Sequence, residues 1–199
     1  MSQIRSNSEA EIHPILANRW SPRAFAADKP VGRETLLACM EAARWAPSCF
    51  GDEPWRFIVC DKASDAASWE KLLAILAPKN QEWAKNTPVL LLVCASTQFR
   101  SGKPNRWGEY DSGQAAISFC LQAEALGLAS HQMGGFDSDA ARKTFAIPND
   151  ATPMAVIALG YQAAAAKLDE GFQSIELAER KRQPIGSCFF AGTWKKPIA

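Results

Sequence analysis

An uninterrupted apolar stretch in the middle of the chain restricts the fold more than any other feature. Residues 88–95 read Pro-Val-Leu-Leu-Leu-Val-Cys-Ala, which has the length of a β-strand and offers no polar side chain to water. Such a strand must be covered on both faces, so its sheet lies between layers of helices. A second apolar run, residues 153–160, predicts another buried strand.

Weaker patterns predict the elements around these two runs. Helices are expected over residues 9–18, 35–46, 66–76, 110–126 and 138–145, and further strands over residues 55–60 and 128–132. Ser8 is a candidate N-cap and Gly127 a candidate C-cap, and residues 162–176 read as a loop. Because helices alternate with about four strands, the class is α+β or α/β: a small mixed sheet flanked by helices, in one domain over residues 1–199.

Composition excludes several classes of protein. A formal net charge of +1 gives no electrostatic case for a nucleic-acid or membrane partner, and no apolar run is long enough to span a bilayer. The polar residues 1–10 contain no secretory signal. The six cysteines form no CxxC pair and several lie in apolar runs, which indicates reduced thiols and a cytoplasmic location. Only two histidines are present, so no metal site is expected.

Common cofactor motifs are also absent from the sequence. The chain has no G-x-x-x-x-G-K-[ST] loop, no G-x-G-x-x-G fingerprint and no G-x-S-x-G elbow. The remaining candidates are spread along the chain. They include a serine-containing loop after the second predicted helix and a Met-Gly-Gly-Phe turn after a late strand. A loop of this kind can bring backbone groups and a hydroxyl to a ligand, but on its own an ordinary helix-to-strand connection explains it better.

Two basic clusters lie near opposite ends of the chain. Arg19-Trp20-Ser21-Pro22-Arg23 offers two guanidinium groups and a hydroxyl, which suit a phosphate dianion, although basic residues that end a helix before Pro22 would look the same. Arg180-Lys181-Arg182 alone is better explained as a solvated basic patch. The two clusters could nevertheless grip one phosphate if the ends of the chain come together.

Five motifs in order connect these candidates. They are R-x-S-x-R-x-F, A-P-S-x-x-x-x-x-P-W-R-F, M-G-G-F, L-G-Y and R-x-R-x-P, and together they extend over nearly the whole chain. This order resembles the FMN-dependent nitroreductase family. The resemblance implies a nitroreductase-like α+β fold and an interlocked homodimer with two FMN sites at the subunit interface.

The resemblance also implies a role for individual residues. Arg19, Ser21 and Arg23 would hold the FMN phosphate and the ribityl or pyrimidine end of the flavin, and Arg180 and Arg182 would complete the phosphate clamp. The flavin ring would be contacted by the loop residues Pro47, Ser48 and Cys49 of the other subunit, by a backbone N–H of Gly134 or Gly135 at N5, and by Asn80 at the pyrimidine edge.

The implied activity is hydride transfer from NADH or NADPH to nitroaromatics, quinones or similar acceptors by a ping-pong mechanism, with no catalytic side chain. Two residues depart from the family pattern: Gly51 and Glu53 stand where an Asn and a Gln are usual, and Glu53 should face away from the flavin or pair with Arg56. Two alternatives remain open. One is a non-catalytic flavin storage or sensor protein, and the other is a phosphate- or nucleotide-binding protein that only keeps the fold.

Overall fold

The centre of the protein is a four-stranded sheet, seen in a computed structural model that describes residues 8–198. The strands are β1 (Trp55–Asp61), β2 (Val89–Ser96), β3 (Ala129–Met133) and β4 (Ala151–Gly160). Their order is β1-β2-β4-β3, so both runs of apolar sequence form central strands, as predicted. No helix in the described residues is both long and apolar enough to cross a membrane.

Helices cover both faces of this sheet. Within residues 8–198 they are α1 (Pro14–Asn18), α2 (Arg33–Arg44), α3 (Ala66–Ala74), α4 (Pro78–Ala84), α5 (Gly108–Ala125), α6 (Ser138–Thr144) and α7 (Glu170–Glu176). Short 3-10 turns occur at Cys49–Gly51, Ala165–Lys167 and Ile185–Ser187. The α+β class and the helices predicted over residues 35–46, 66–76, 110–126 and 138–145 are confirmed, with shifts of one or two residues at their ends.

The side chains of β2 show how the core is divided. Leu90 and Leu92 enter an apolar cluster on one face of the sheet, whereas Leu91 and Val93 enter a second cluster on the other face. All four are at most 2% exposed. Because side chains alternate along a strand, a strand buried on both faces needs an unbroken apolar sequence, and that is what made β2 recognisable.

The prediction of a mixed sheet is wrong for the described strands. The pairs β1–β2, β2–β4 and β3–β4 are all antiparallel. Between β1 and β2 the sequence suggested one helix, but α3 and α4 both lie there. Because β2 is antiparallel to β1, it begins at the end of the sheet at which β1 finished, and α3 and α4 lie in this connection.

Two other local predictions need correction. The first helix begins at Pro14 rather than at residue 9, because proline fits the first helical position, and His13 rather than Ser8 is its N-cap. Residues 162–176, predicted as a loop, contain α7. The buried residue of α7 is Glu176, so apolar periodicity could not reveal this helix. The polar N-terminal segment extends into residues 1–7, which lie outside the described part.

Candidate functional site

The two basic clusters are brought together in the structure. Arg180 donates from Nη1 to the backbone oxygen of Ala17 at 2.8 Å and from Nη2 to that of Arg19 at 3.1 Å. Arg19, Arg180 and Arg182 line one cavity of about 580 Å³, whose apolar walls include Leu16 and Phe189. Residues from both ends of the chain therefore share one basic cavity, which we call the arginine cavity.

Positive charge is concentrated at this cavity. Burial lowers the pKa of Arg180, and repulsion from Arg19 and Arg182 lowers it further. Glu124, near the end of α5, interacts with Arg19 and Arg180, and these charges partly oppose the rise in its pKa that burial causes. Three guanidinium groups at one opening form a donor set that suits a phosphate dianion, although Glu9 also lines the cavity and Glu124 interacts with two of the arginines.

Ser21 and Arg23 do not line the cavity, but their backbone is fixed beside it. The buried carboxylate of Glu176 accepts hydrogen bonds from the N–H groups of Arg23 and Ala24, at 2.9 to 3.1 Å. On the other side, His131 Nδ1 lies 2.9 Å from the backbone oxygen of Pro22. Because a carbonyl oxygen only accepts, this nitrogen carries the proton of a neutral ring.

His131 is packed where a charge is unfavourable. Its ring lies 4.6 Å from that of Trp83, centroid to centroid. Burial, with smaller contributions from the charges of Arg23 and Arg19, lowers the pKa of His131 to about 4. The sequence offered one signal, a histidine inside a short strand, but no way to identify its partner.

Acidification is expected to destabilise the protein through His131. An unfolded histidine has a pKa of about 6.5, so the unfolded chain binds more protons between pH 6.5 and pH 4. The free energy of unfolding should fall by up to about 3 kcal/mol as the pH falls through this window. Urea denaturation from pH 6.5 to pH 4.5 measures this change in the free energy of unfolding. The carboxylates should contribute equally in every variant, so a comparison of variants removes their effect.

The matched variants isolate the histidine. His131→Asn can still donate to Pro22 but cannot gain a proton, so its stability should depend less steeply on pH than that of the wild type. His13→Asn changes the other histidine, which is exposed, and should keep the wild-type slope. A wild-type slope in His131→Asn would contradict the proposed origin of the effect.

The serine loop, residues 46–54, is held in place from within and from α5. Ser48 Oγ accepts a hydrogen bond from the Glu53 N–H at 3.1 Å, and Asp111 Oδ2 accepts one from the Cys49 N–H at 2.9 Å. Pro47 is exposed, and Ser48 and Cys49 are half-buried. Sequence analysis could not identify Asp111 as the anchor of this loop, because the two segments are 62 residues apart.

The two departures from the family pattern are accommodated in this loop. Gly51 adopts φ +63°, a conformation that suits glycine. The Glu53 carboxylate lies 3.4 Å from Arg100 Nη2. Arg56 instead donates to the backbone oxygen of Glu53 at 2.8 Å, so of the two alternatives for Glu53 the pairing with the Arg56 side chain does not occur.

The glycine turn after β3 is joined to Asn80. Asn80 Nδ2 donates to the backbone oxygen of Gly135 at 3.0 Å, and the Ala77 N–H donates to the same oxygen at 2.9 Å. A Cβ on Gly135 would lie 2.9 Å from Asn80 Nδ2, so only glycine fits without displacement. Within residues 8–198 no backbone oxygen accepts the N–H of Gly134 or Gly135, and both residues are exposed.

The serine loop and the arginine cavity lie at opposite ends of α5 in one chain. Asp111, in the first turns of the helix, holds the loop, whereas Glu124, in the last turn, interacts with the arginines. Thirteen helical residues at 1.5 Å each separate these positions by about 20 Å. Within one chain, the arginines that line the cavity therefore lie near the C-terminal end of α5, and Pro47, Ser48 and Cys49 lie near its N-terminal end.

Together, fold and site define an α+β protein with a basic cavity that three arginines line. The sequence profile described as the nitroreductase family matches residues 16–161. The chain therefore belongs to the nitroreductase family and is an enzyme of that family. The family predicted from the five motifs is confirmed.

Individual relatives agree with this assignment. A protein of Ralstonia nicotianae, whose name proposes NADH dehydrogenase or NAD(P)H nitroreductase activity, is 29% identical over 59% of this chain and 69% of its own. A solved structure described as an oxidoreductase containing FMN is 34% identical, covers 98% of both chains and has a TM-score of 0.89. A nitroreductase-fold protein of Desulfovibrio desulfuricans, solved with FMN, is 23% identical over 92% of this chain and 99% of its own, with a TM-score of 0.70.

Proposed function

We propose that this protein is an FMN oxidoreductase that passes hydride from NADH or NADPH to nitroaromatics, quinones or similar small acceptors by a ping-pong mechanism. The observation that carries the proposal is the meeting of Arg19, Arg180 and Arg182 at one cavity, in a member of this family. The 34% identity to an FMN-containing oxidoreductase supports the choice of cofactor. We further propose that the chain is a single domain.

The residues present fit FMN at its phosphate end. Arg19, Arg180 and Arg182 would bind the phosphate oxygens, because guanidinium groups form charge-assisted, bidentate bonds with them. Ser21 and Arg23 would bind the adjoining ribityl and pyrimidine groups, on backbone that Glu176 and His131 hold. When bound, FMN would supply the redox chemistry.

Other residues fit the flavin ring. The N–H groups of Gly134 and Gly135, which no backbone oxygen within residues 8–198 accepts, would orient the ring by donating at N5. Asn80, whose Nδ2 binds Gly135, would present its Oδ1 to the pyrimidine edge. Ser48 Oγ accepts from Glu53 and therefore keeps its own proton to donate, beside Pro47 and Cys49. No side chain is required as an acid or base, so we propose none as catalytic.

We propose a homodimer because one chain separates the two halves of the site by about 20 Å. In an interlocked dimer the serine loop of one subunit would approach the arginine cavity of the other and form two FMN sites. Large apolar side chains exposed in one chain support this assembly: Trp45 is 74% exposed, Tyr110 69% and Trp194 78%.

A cytoplasmic location is proposed for the same enzyme. All six cysteines are free thiols, and Cys39, Cys60, Cys94 and Cys120 are buried. Free thiols persist in a reducing compartment, which is also where NADH and NADPH are available as hydride donors.

An absorbance spectrum of the purified protein tests the function. We expect flavin bands that bleach under anaerobic conditions when NADPH or NADH is added. The nucleotide that bleaches the bands faster is the preferred donor. Flavin bands that neither donor bleaches would instead indicate a storage or sensor protein. A spectrum without flavin bands, even after FMN is added, would overturn the proposal.

A further inference from the structure

Glu176 is a carboxylate in an unusual environment. It is 2% exposed at the end of α7, and both of its oxygens accept hydrogen bonds from backbone N–H groups. Oε1 accepts from Arg23 and Ala24 at 3.1 Å each, and Oε2 accepts from Arg23 at 2.9 Å. No lysine or arginine in the described residues lies within ion-pair distance of it.

Burying a carboxylate without a cationic partner costs free energy, because the carboxylate loses its hydration. Hydrogen bonds from the protein must offset this loss. Here the partners are the two N–H groups that directly follow Pro22, so the carboxylate fixes the main chain rather than a charged side chain. An apolar residue at this position would leave both N–H groups buried or half-buried without an acceptor.

The segment that contains Glu176, residues 176–180, also binds the N-terminal part of residues 17–24. Arg180, four residues beyond Glu176, donates to the backbone oxygens of Ala17 and Arg19. Residues 17–24 are therefore attached at both ends to residues 176–180. The attachment sets the position of Ser21 and Arg23 relative to Arg180.

We propose that Glu176 is the positioning residue of the phosphate clamp: its carboxylate fixes the backbone of Arg23 and Ala24 so that the arginines from the two ends of the chain face one phosphate. Glu176 does not touch the cofactor and acts through the residues that do. This inference rests on the proposed binding of FMN.

The phosphate group provides a specific test. FMN and riboflavin share the ring and ribityl chain, but only FMN carries the phosphate. Glu176→Gln keeps the shape of the side chain but loses the charge, and its amide NH₂ cannot accept from a backbone N–H. We expect the Kd for FMN to rise about tenfold and the Kd for riboflavin to rise only about twofold, because riboflavin would still meet Ser21 and Arg23 but lacks the phosphate that the clamp holds.

Flavin fluorescence titrations of the apoprotein measure both constants. The matched control is Glu170→Gln, an exposed glutamate in the first turn of the same helix, which should bind both flavins like the wild type. Glu176→Asp keeps the charge but is one methylene shorter, so a smaller loss is expected, about threefold for FMN and less for riboflavin. This variant carries the test if Glu176→Gln does not fold.

Three results would overturn the inference. Equal losses for FMN and riboflavin would show that Glu176 only stabilises the fold, and unchanged FMN binding in a folded Glu176 variant would show that it does not position the clamp. If the wild-type protein did not bind FMN, whether or not it bound riboflavin, the proposed function and this inference would both be overturned. The wild-type titration therefore distinguishes the two failures.

Discussion

Replacing Arg180 with alanine is expected to weaken FMN binding about 100-fold. A charge-assisted hydrogen bond to a phosphate contributes roughly 1.5–3 kcal/mol, and the substitution also removes the bonds from Arg180 to Ala17 and Arg19. A combined loss of about 2.7 kcal/mol corresponds to the expected change in Kd. Fluorescence titration of the apoprotein with FMN measures it directly.

Two variants show whether geometry or charge is responsible. Arg180→Lys keeps a positive charge but carries all its donors on one nitrogen and lacks the planar fork of arginine, so an intermediate loss is expected. Arg33→Ala removes an exposed arginine at the start of α2 and should leave FMN binding unchanged. The assignment of the cavity fails if the Arg180→Ala and Arg33→Ala proteins bind FMN equally.

The second large effect is expected at the other end of α5. Asp111 is 3% exposed and accepts the Cys49 N–H, so Asp111→Ala should release the serine loop. The loss of this bond, with the loss of a carboxylate at a helix N-terminus, should lower the free energy of unfolding by about 2 kcal/mol. FMN binding should weaken about tenfold because a mobile loop must be ordered again. Urea denaturation and FMN titration measure the two changes.

Glu109→Ala is the matched control for this substitution. Glu109 is an acidic residue in the same first turn but is exposed and does not contact the serine loop. It should lose only the interaction with the helix dipole, which is worth at most about 1 kcal/mol, and should bind FMN normally. If Asp111→Ala and Glu109→Ala behaved alike, the hydrogen bond to Cys49 would not be what holds the loop.

The parts of the fold that could be predicted from sequence are those set by local physics. The strand over residues 88–95 was evident because both of its faces are buried, and α5 was evident from its small, apolar side chains. Gly127 was predicted as the C-cap of α5, but Leu126 is the C-cap and Gly127 follows it with a φ of +73°, which favours glycine. The family followed from the order of five short motifs rather than from any one of them.

The parts that were missed depend on contacts between distant segments. Helix α7 buries a glutamate, so it has no apolar stripe. The antiparallel direction of the strands depends on pairing between distant segments, which the sequence pattern does not show. Among the functional candidates, Glu176 meets Arg23 across 153 positions and His131 meets Pro22 across 109. Sequence reasoning identified residues with recognisable chemistry but not those that hold them in place.

We propose that each FMN site combines the arginine cavity of one subunit with the serine loop of the other. A mixture of the Arg180→Ala and Asp111→Ala proteins tests it most directly. In a mixed dimer one site would carry both substitutions and the other neither. If subunits exchange at random, tight FMN binding should return to about one quarter of the sites. Tight binding that stays absent after proven subunit exchange would contradict the shared site.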